Sequence, residues 1–309
     1  MAKSELFSYS NLVHAIAGGC GSAVAMTTFY PLDTVRTRLQ LEEARTSKST
    51  IAIMVEIFKE EGLAGLYRGL LPVIQSLYCS NFVYFYTFHG LKRIANKDKT
   101  LLLDLLLGMV AGSINVMTTN PLWVVNTRMK MQGARLRSGQ QASPQTHNYK
   151  NLLDGLIQVK QKEGIAGLWS GACSSLILTI NPAIQFMAYE AMKRHMQRTY
   201  GSQQLNSLDV FKVGAAAKAI ATVLTYPIQL VQAKQRHGHT YEGLPQKPGL
   251  IAMLLFILRK HGFTGLFKGL EAKILQTVLT AALMFVCYEK IAGIVFAVLM
   301  GNKKTALRK

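Results

Sequence analysis

Two lysines interrupt long apolar stretches of this 309-residue chain and are the residues best placed for binding chemistry. Lys218 follows three alanines, and Lys273 lies three residues after Leu270 in the last apolar stretch. Charged side chains inside apolar segments are costly, so they face a bundle interior or a wet cavity. Because a desolvated ammonium gains charge-assisted hydrogen bonds from phosphate, the two lysines predict an anionic, phosphate-bearing ligand. The alternative for Lys273 is that it snorkels or caps the start of a helix.

Other polar residues in the apolar stretches extend this pattern. Arg36 and Arg128 lie nearer the ends of their stretches and could contact the same anion. Four more residues either hydrogen-bond a ligand or satisfy neighbouring helices: Asn81, Tyr84, Asn181 and Gln185.

Enzyme chemistry is disfavoured. The seven histidines form no HExxH motif, and neither a P-loop nor a GxGxxG motif follows a strand. His237 and His239 lie in a polar loop beside Gly238 and are interpreted as solvated rather than metal-binding. No catalytic residue, metal or cofactor is therefore expected.

Six long apolar stretches must position these side chains. The chain is 50% hydrophobic and only 17% charged, which is more apolar than an ordinary soluble domain. A helix needs about 20 residues to cross the hydrocarbon core of a bilayer. The predicted spans are 12–39, 70–91, 101–129, 173–193, 208–234 and 270–299. The first ten residues lack the features of a secretory or mitochondrial targeting segment, so delivery is expected to use internal signals.

The basic residues outnumber the acids 35 to 16. A surplus of this size first suggests nucleic-acid binding. Here, however, the bases lie mainly in the polar segments between apolar stretches, without interleaved aromatic residues. That placement favours a membrane protein whose loops meet the lipid bilayer and its anionic headgroups, and no nucleic acid is expected as a partner.

A threefold repeat organises the chain. The odd-numbered spans end in a proline motif with a base seven positions after the proline: Pro31-Leu-Asp33-Thr-Val-Arg36-Thr-Arg38, Pro121-Leu-Trp123-Val-Val-Asn126-Thr-Arg128 and Pro227-Ile-Gln229-Leu-Val-Gln232-Ala-Lys234. A glycine motif follows each one: Glu61-Gly62 to Gly69, Glu163-Gly164 to Gly171, and His261-Gly262 to Gly269. The even-numbered spans end near His89 and Lys92, Glu190 and Lys193, and Glu289. Since proline kinks a helix, three related kinks are expected to close one end of a cavity.

These motifs resemble the repeat of the mitochondrial carrier family from about Leu12 to Ala292. The resemblance implies an all-α membrane protein, with six tilted transmembrane helices in a pseudo-threefold barrel of three two-helix repeats and short matrix-side helices. It divides one integral membrane domain into repeats at 1–95, 96–200 and 201–309. It also implies that both termini face the cytosol.

The resemblance further implies two gates. On the matrix side, the acidic position of each proline motif faces the basic position of the next, giving Asp33 with Asn126, Trp123 with Gln232 and Gln229 with Arg36. No full ion pair is expected there. On the cytosolic side, the pairs are Glu289 with Lys92, His89 with Lys193 and Glu190 with Ala292. Weak gates open at low cost without substrate, so we hypothesise loosely coupled exchange with uniport as a second mode. The alternative is drift at positions that only pack.

Family analogy places the substrate contacts 13 residues before the cytosolic-side motif, at Ser76, at Ile177 with Leu178, and at Gln276. The second contact is apolar and lacks the arginine of keto-acid and amino-acid carriers. An aromatic or adenine ring suits that surface better than a carboxylate, so the contact favours a large heterocyclic ligand.

Longer strings resemble the peroxisomal branch of the family: 79–86, 120–128, 217–222 and 271–285. That resemblance implies alternating-access transport of nucleotide-containing cofactors (CoA, FAD or FMN, NAD, AMP or ADP) across the peroxisomal membrane. It also implies delivery by the peroxisomal membrane-protein import machinery. Mitochondrial inner-membrane carriers of NAD, FAD, folate or pyrimidine nucleotides share the Pro-Leu-Trp variant and are the alternative. A non-transporting scaffold is disfavoured because the three prolines and both interior lysines remain.

Overall fold

The computed structural model describes residues 23–42, 49–95, 101–132, 149–200, 207–238, 245, 248–284 and 286, and its regular elements there are all helical. The helices are α1 (23–28), α2 (Tyr30–Leu41), α3 (Thr50–Leu66), α4 (Leu70–Ala95), α5 (Leu101–Met131), α6 (Leu152–Glu163), α7 (Ile165–Leu168), α8 (Ala172–Ile177), α9 (Asn181–Tyr200), α10 (Ser207–His237), α11 (Leu250–Gly265) and α12 (Leu270–Met284). A 3₁₀ turn, Leu178–Ile180, joins α8 to α9. The expected all-α class is confirmed.

The three motif prolines do not act alike. Pro121 and Pro227 lie inside the continuous helices α5 and α10, each 31 residues long. Pro31 instead occupies the first turn of α2, after a break at Phe29. Because the first turn of a helix has no intrahelical acceptor for its N–H groups, proline is tolerated there at little cost. The first odd span is thus broken where the other two are continuous.

The glycine motif marks a sharp change of direction in each repeat. Its first glycine has a positive φ in all three copies: Gly62 69°, Gly164 73° and Gly262 66°. Its second glycine does too: Gly69 80°, Gly171 74° and Gly269 85°. Only glycine adopts this region without a steric penalty, which explains why both positions recur.

Short loop helices lie between the spans and are capped by their own sequence. The Ser49 hydroxyl accepts from the Ala52 N–H at the start of α3, at 3.4 Å. Asn151 caps α6 by accepting from the Asp154 N–H at 2.8 Å. The Lys150 N–H and the Gln158 amide donate to the Asp154 carboxylate and hold its pKa below the usual value. Such caps satisfy N–H groups that a helix start leaves unpaired.

Each loop helix packs against the proline-motif end of its own odd helix. One hydrophobic cluster per repeat makes this contact: Val35, Leu39, Ile53 and Ile57; Val125, Met129, Val159 and Leu168; Leu230, Val231, Met253 and Ile257. The valine four residues after each proline belongs to every cluster. The repeat is therefore visible in the packing as well as in the sequence.

Membrane crossing is supported by length and composition for part of the chain. Within the described residues, Leu103–Met131 and Ile165–Thr199 are long and apolar enough to span a bilayer. The pair Leu250–Gly265 and Leu270–Met284 passes only when joined across a 70° bend. Since α11 packs on α10 through its hydrophobic cluster, we assign α11 as the third loop helix and α12 as the span.

Two of the other predicted spans correspond to the long helices α4 and α10. Helices α4 and α10, with 26 and 31 residues, extend about 39 and 46 Å at the usual helical rise. They carry interior polar residues such as Asn81 and Lys218, as expected of walls around a wet cavity. Residues 12–22 and 287–299 of the first and last predicted spans lie outside the described residues.

Candidate substrate cavity and gate

In the first two repeats, the distal base of the proline motif joins the odd helix to its loop helix. Arg38 pairs with Glu61 at 3.0 Å and with Glu42 at 2.9 Å, and its side chain is 1% exposed. In the second repeat, Arg128 binds Glu163 through both guanidinium Nη atoms, the Nη2–Oε2 distance being 2.9 Å. Bidentate pairs of this kind fix geometry as well as charge. They explain the base seven residues after Pro31 and after Pro121; the third repeat has Lys234 at this position and His261 in place of the glutamate.

Bases of the glycine motif join one repeat to the next. The Arg68 guanidinium donates to the Gln132 carbonyl at 2.5 Å, and the Lys268 ammonium donates to the Glu42 carbonyl at 2.8 Å. Both carbonyls lie at the C-terminal end of an odd helix, where cations are favourable. Ser170 replaces the base in the second repeat.

The proline end, defined as the end of the bundle where α2, α5 and α10 carry their proline motifs, differs from expectation at Asp33. Its carboxylate pairs with Arg36 of the same helix at 3.3 Å and with Lys130 of α5. The predicted partner, Asn126, instead donates to the Ser76 hydroxyl at 2.7 Å. The prediction was wrong because Lys130, one turn beyond Asn126, reaches back and offers a full charge. A full ion pair between helices does therefore exist here.

The second predicted pair is displaced in the same way. The Trp123 ring lies 6.0 Å from the Arg236 guanidinium rather than against Gln232. Gln232 donates to the Ser175 hydroxyl at 2.8 Å. A cation over an indole face is a favourable contact, and Trp is the best of the aromatic rings for it.

The third predicted pair, Gln229 with Arg36, is also wrong. Gln229 donates to the Thr225 hydroxyl of its own helix at 3.0 Å, and Arg36 pairs with Asp33. The contact between repeats is made instead by Gln40, whose amide donates to the Tyr226 hydroxyl at 3.0 Å.

One register unites these contacts. The residue nine positions after each proline contacts the residue just before the proline of the preceding repeat. We call these three contacts the proline-end ring. They are Lys130 with Tyr30 (5.3 Å to the ring centroid), Arg236 with Asn120 (3.3 Å) and Gln40 with Tyr226 (3.0 Å). Sequence reasoning missed this ring. A polar residue nine positions after every proline was the available signal.

The opposite end of the bundle, where α4 and α9 end, holds the other predicted gate. Lys92 pairs with Asp104 of α5 at 2.8 Å, and Glu190 lies 4.0 Å from Lys193 and 3.7 Å from Arg194 of its own helix. In this part of the described chain His89 lies against aromatic rings and makes no contact with Lys193. Glu289 and Ala292 lie outside the described residues, so their predicted pairs stay predictions.

A cavity of about 390 Å³ lies between α4, α5, α9 and α10 and reaches the proline end. It brings together four predicted residues: Tyr84, Leu178, Trp123 and Gln232. It also includes residues that the sequence analysis had not selected: Asn115, Asn120, Ser175 and Arg236. Its volume is in the range of small-molecule sites.

The remaining predicted contacts lie outside that cavity lining. Ser76 is fully buried against Asn126, and Asn181 donates to the Thr225 hydroxyl at 2.7 Å. Gln276 has a buried side-chain oxygen without a hydrogen-bond partner. The other positions are exposed (Asn81, Ile177, Lys218) or half-buried (Gln185, Lys273).

Bases dominate the electrostatics around Asp33. The charges acting on Lys273 are those of Arg36, Lys218 and Lys130, with Asp33 opposing them. Arg36 also acts on Arg236. A wet interior with this excess of positive charge attracts anions.

Comparison with known proteins agrees with the repeat. The family model described as Mitochondrial carrier protein matches residues 7–99, 97–200 and 203–297. The chain is 52% identical to "Peroxisomal membrane protein PMP34" of Mus musculus, over 98% of this chain and 99% of that one. It is 32% identical to the "Peroxisomal nicotinamide adenine dinucleotide carrier" of Arabidopsis thaliana (91% and 95% covered) and 29% identical to "Peroxisomal adenine nucleotide carrier 1" of Glycine max (96% and 95%). Three repeats, one packing scheme and these relatives lead to one conclusion: the chain belongs to the mitochondrial carrier family.

Proposed function

We propose that this carrier moves nucleotide-containing cofactors (CoA, FAD or FMN, NAD, AMP or ADP) across the peroxisomal membrane by alternating access. Counter-exchange is the main mode, with uniport as a second. That the chain is a membrane transporter of the mitochondrial carrier family rests on the threefold family match. The proposal adds the cargo, the organelle and the mode of transport.

The observation that carries the cargo proposal is the cluster of bases around one carboxylate. Among the described residues, the charges of Arg36, Lys218 and Lys130 act on Lys273 and that of Asp33 opposes them, so positive charge is in excess there. Uncompensated charge inside a membrane protein is costly and marks a substrate pathway. A phosphate or diphosphate supplies the missing negative charge with charge-assisted hydrogen bonds.

Apolar and aromatic groups supply the complementary half of the cargo site. Tyr84 and Phe88 stack at 6.1 Å on the cavity wall, and Leu178 faces the same space. A flat heterocycle stacks on such rings, whereas a small dicarboxylate gains nothing from them. A ligand with both a phosphate and an aromatic ring therefore fits better than either part alone.

The relatives support the compartment and the cargo class. One is named as a peroxisomal membrane protein and two as peroxisomal carriers of NAD or adenine nucleotides. The proposal therefore places one integral membrane domain, with repeats 1–95, 96–200 and 201–309, in the peroxisomal membrane. Its termini face the cytosol, the import machinery for peroxisomal membrane proteins inserts it, and anionic lipids contact its basic loops. A 34% identical relative named as a mitochondrial NAD transporter makes the mitochondrial inner membrane the alternative location.

The test is uptake by proteoliposomes that contain the purified carrier. The panel is CoA, FAD, NAD and AMP, with adenosine as the ligand that keeps the ring and lacks phosphate. We expect saturable uptake of at least one phosphate-bearing member and none of adenosine. Correct insertion without uptake of any member would support a scaffold instead, and uptake of keto acids alone would contradict the cargo class.

A further inference from the structure

Arg236 is the arginine at the floor of the cavity. It lies in the last turn of α10 and lines the space that Tyr84 and Phe88 bound from the other side. Its Nη2 donates to the Ser175 hydroxyl at 3.0 Å and to the Asn120 side-chain oxygen at 3.3 Å. Its guanidinium also sits over the Trp123 ring. All three of these neighbouring groups, a hydroxyl, an amide and an aromatic ring, are uncharged.

No carboxylate balances Arg236 among the residues that the structure describes. The charge acting on it is that of Arg36, which has the same sign. Its Nε is buried and has no hydrogen-bond partner within the described part of the chain. Arg38 and Arg128, two buried arginines of this end, each bind a glutamate. Arg236 is half-buried and has no such partner among the described residues, so an anion in the cavity would supply its counter-charge.

Neutral polar groups surround the Arg236 guanidinium. The Gln232 amide donates to the Ser175 hydroxyl, which itself donates to the Gly171 carbonyl at 2.7 Å, and Gln232 and Ser175 line the same cavity as Arg236. The ring of Trp123 closes one side. Arginine presents a planar fork of donors that matches phosphate geometry, and adjacent neutral donors extend such a site.

We propose that Arg236, with Gln232 and Ser175, forms a phosphate-binding subsite at the floor of the cavity. This subsite rests on the proposed function, because it would bind a phosphate of the nucleotide cargo. The base ring of the same nucleotide would lie toward Tyr84. The subsite is distinct from Lys218 and Lys273, which lie outside the lining of this cavity.

Phosphate binding at this subsite also acts on the proline-end ring. Arg236 contacts Asn120 and Trp123 of α5, so it links α5 to α10. A phosphate competes for the same guanidinium donors and weakens that link. Cargo therefore releases one of the three contacts that close the proline end. Phosphate binding at the subsite would therefore favour opening of the proline end.

The test measures ligand-dependent thermal stabilisation of the purified full-length carrier, since a ligand that binds the folded state raises its stability. AMP and adenosine are the two probes, and Arg236→Gln is compared with the exposed control Arg259→Gln. We expect Arg236→Gln to weaken AMP binding by about tenfold to a hundredfold, the range for lost hydrogen bonds to a charged group. Adenosine binding stays unchanged, and the control matches wild type.

Other outcomes decide against the subsite. Equal losses for AMP and adenosine indicate a structural role for Arg236, and unchanged AMP binding removes it from the site. If Arg236→Gln does not fold, Arg236→Lys is measured instead, because it keeps the positive charge and removes the planar set of guanidinium donors. It should weaken AMP binding alone by several-fold, and a wild-type value would overturn the proposal. If the wild-type carrier takes up nucleotides and the Arg236 variants bind AMP normally, only the subsite is refuted. If the wild-type carrier neither takes up nucleotides nor is stabilised by them, the proposed function is refuted too.

Discussion

The two ends of the bundle hold their charged residues in different ways. At the proline end, Lys130, Arg236 and Gln40 reach across to a neighbouring repeat, and the Asp33–Lys130 ion pair has side chains no more than 12% exposed. At the opposite end, Glu190 pairs within α9, and the Lys92–Asp104 pair has side chains 46% and 38% exposed. Buried contacts between repeats hold helices together, whereas exposed pairs contribute little.

This difference identifies the closed end of the cavity. The side chains that close it at the proline end belong to different repeats, so opening must separate them. The described part of the opposite end has no buried contact of that kind. The described residues are therefore closed at the proline end, and the alternating access that we propose requires these contacts to separate.

The largest expected effect is on stability at the proline end. Glu163→Gln leaves the Arg128 guanidinium without a charged partner, and the Arg128 side chain is only 6% exposed. Breaking a buried pair costs about 3–5 kcal/mol. We expect a clear fall in the melting temperature of the purified carrier. Glu190→Gln at the opposite end is the matched control, and an equal fall there would contradict the contrast between the ends.

The second effect concerns the two lysines of the long helices, Lys218 of α10 and Lys273 of α12. Lys218→Ala and Lys273→Ala should each lower nucleotide uptake about tenfold to a hundredfold, because each removes a charge-assisted contact to phosphate. Insertion in the membrane should stay normal. Lys160→Ala on the exposed surface of α6 is the control. Wild-type uptake rates in both interior variants would refute their phosphate role.

The third effect concerns coupling of exchange. Asp33→Asn removes the one ion pair that the described residues show between two of the helices α2, α5 and α10 at the proline end. Opening of the empty carrier then becomes easier, and efflux from proteoliposomes without counter-substrate should rise by several-fold. Negligible efflux from wild type would also sink the hypothesis of loosely coupled exchange.

The smallest effect is expected at the opposite end. Lys92→Gln removes an exposed pair with Asp104, and exposed pairs contribute about 0–1 kcal/mol. Uptake and efflux rates should change less than about fivefold. A larger change would show that Lys92 has another partner that matters for transport, such as the predicted Glu289.

Sequence reasoning succeeded where backbone geometry fixes the residue type. The glycine motif required positive φ at Gly62 and Gly69, and the same positions recur in each repeat because only glycine tolerates them. The proline motifs likewise predicted the helices that carry them. These features are local, so the sequence of a single repeat is enough to predict its glycine turn and its helix.

The gate partners could not be obtained in that way. Whether Asp33 meets Asn126 or Lys130 depends on how far α5 slides along α2, which no local pattern encodes. A lysine side chain also spans a full helical turn, so it can replace a shorter partner at the nearer position. Arg236 was missed for the same reason, since its importance comes from Trp123 and Asn120 on another helix.

A double-mutant cycle measures the register of α5 against α2 at the proline end. Asp33→Asn is combined with Lys130→Gln in one cycle and with Asn126→Ala in another, and the melting temperature and counter-substrate-free efflux are measured for each. We predict a coupling energy of about 0.5–3 kcal/mol between Asp33 and Lys130, and additivity between Asp33 and Asn126. Coupling of Asp33 to Asn126, with additivity toward Lys130, would contradict the account.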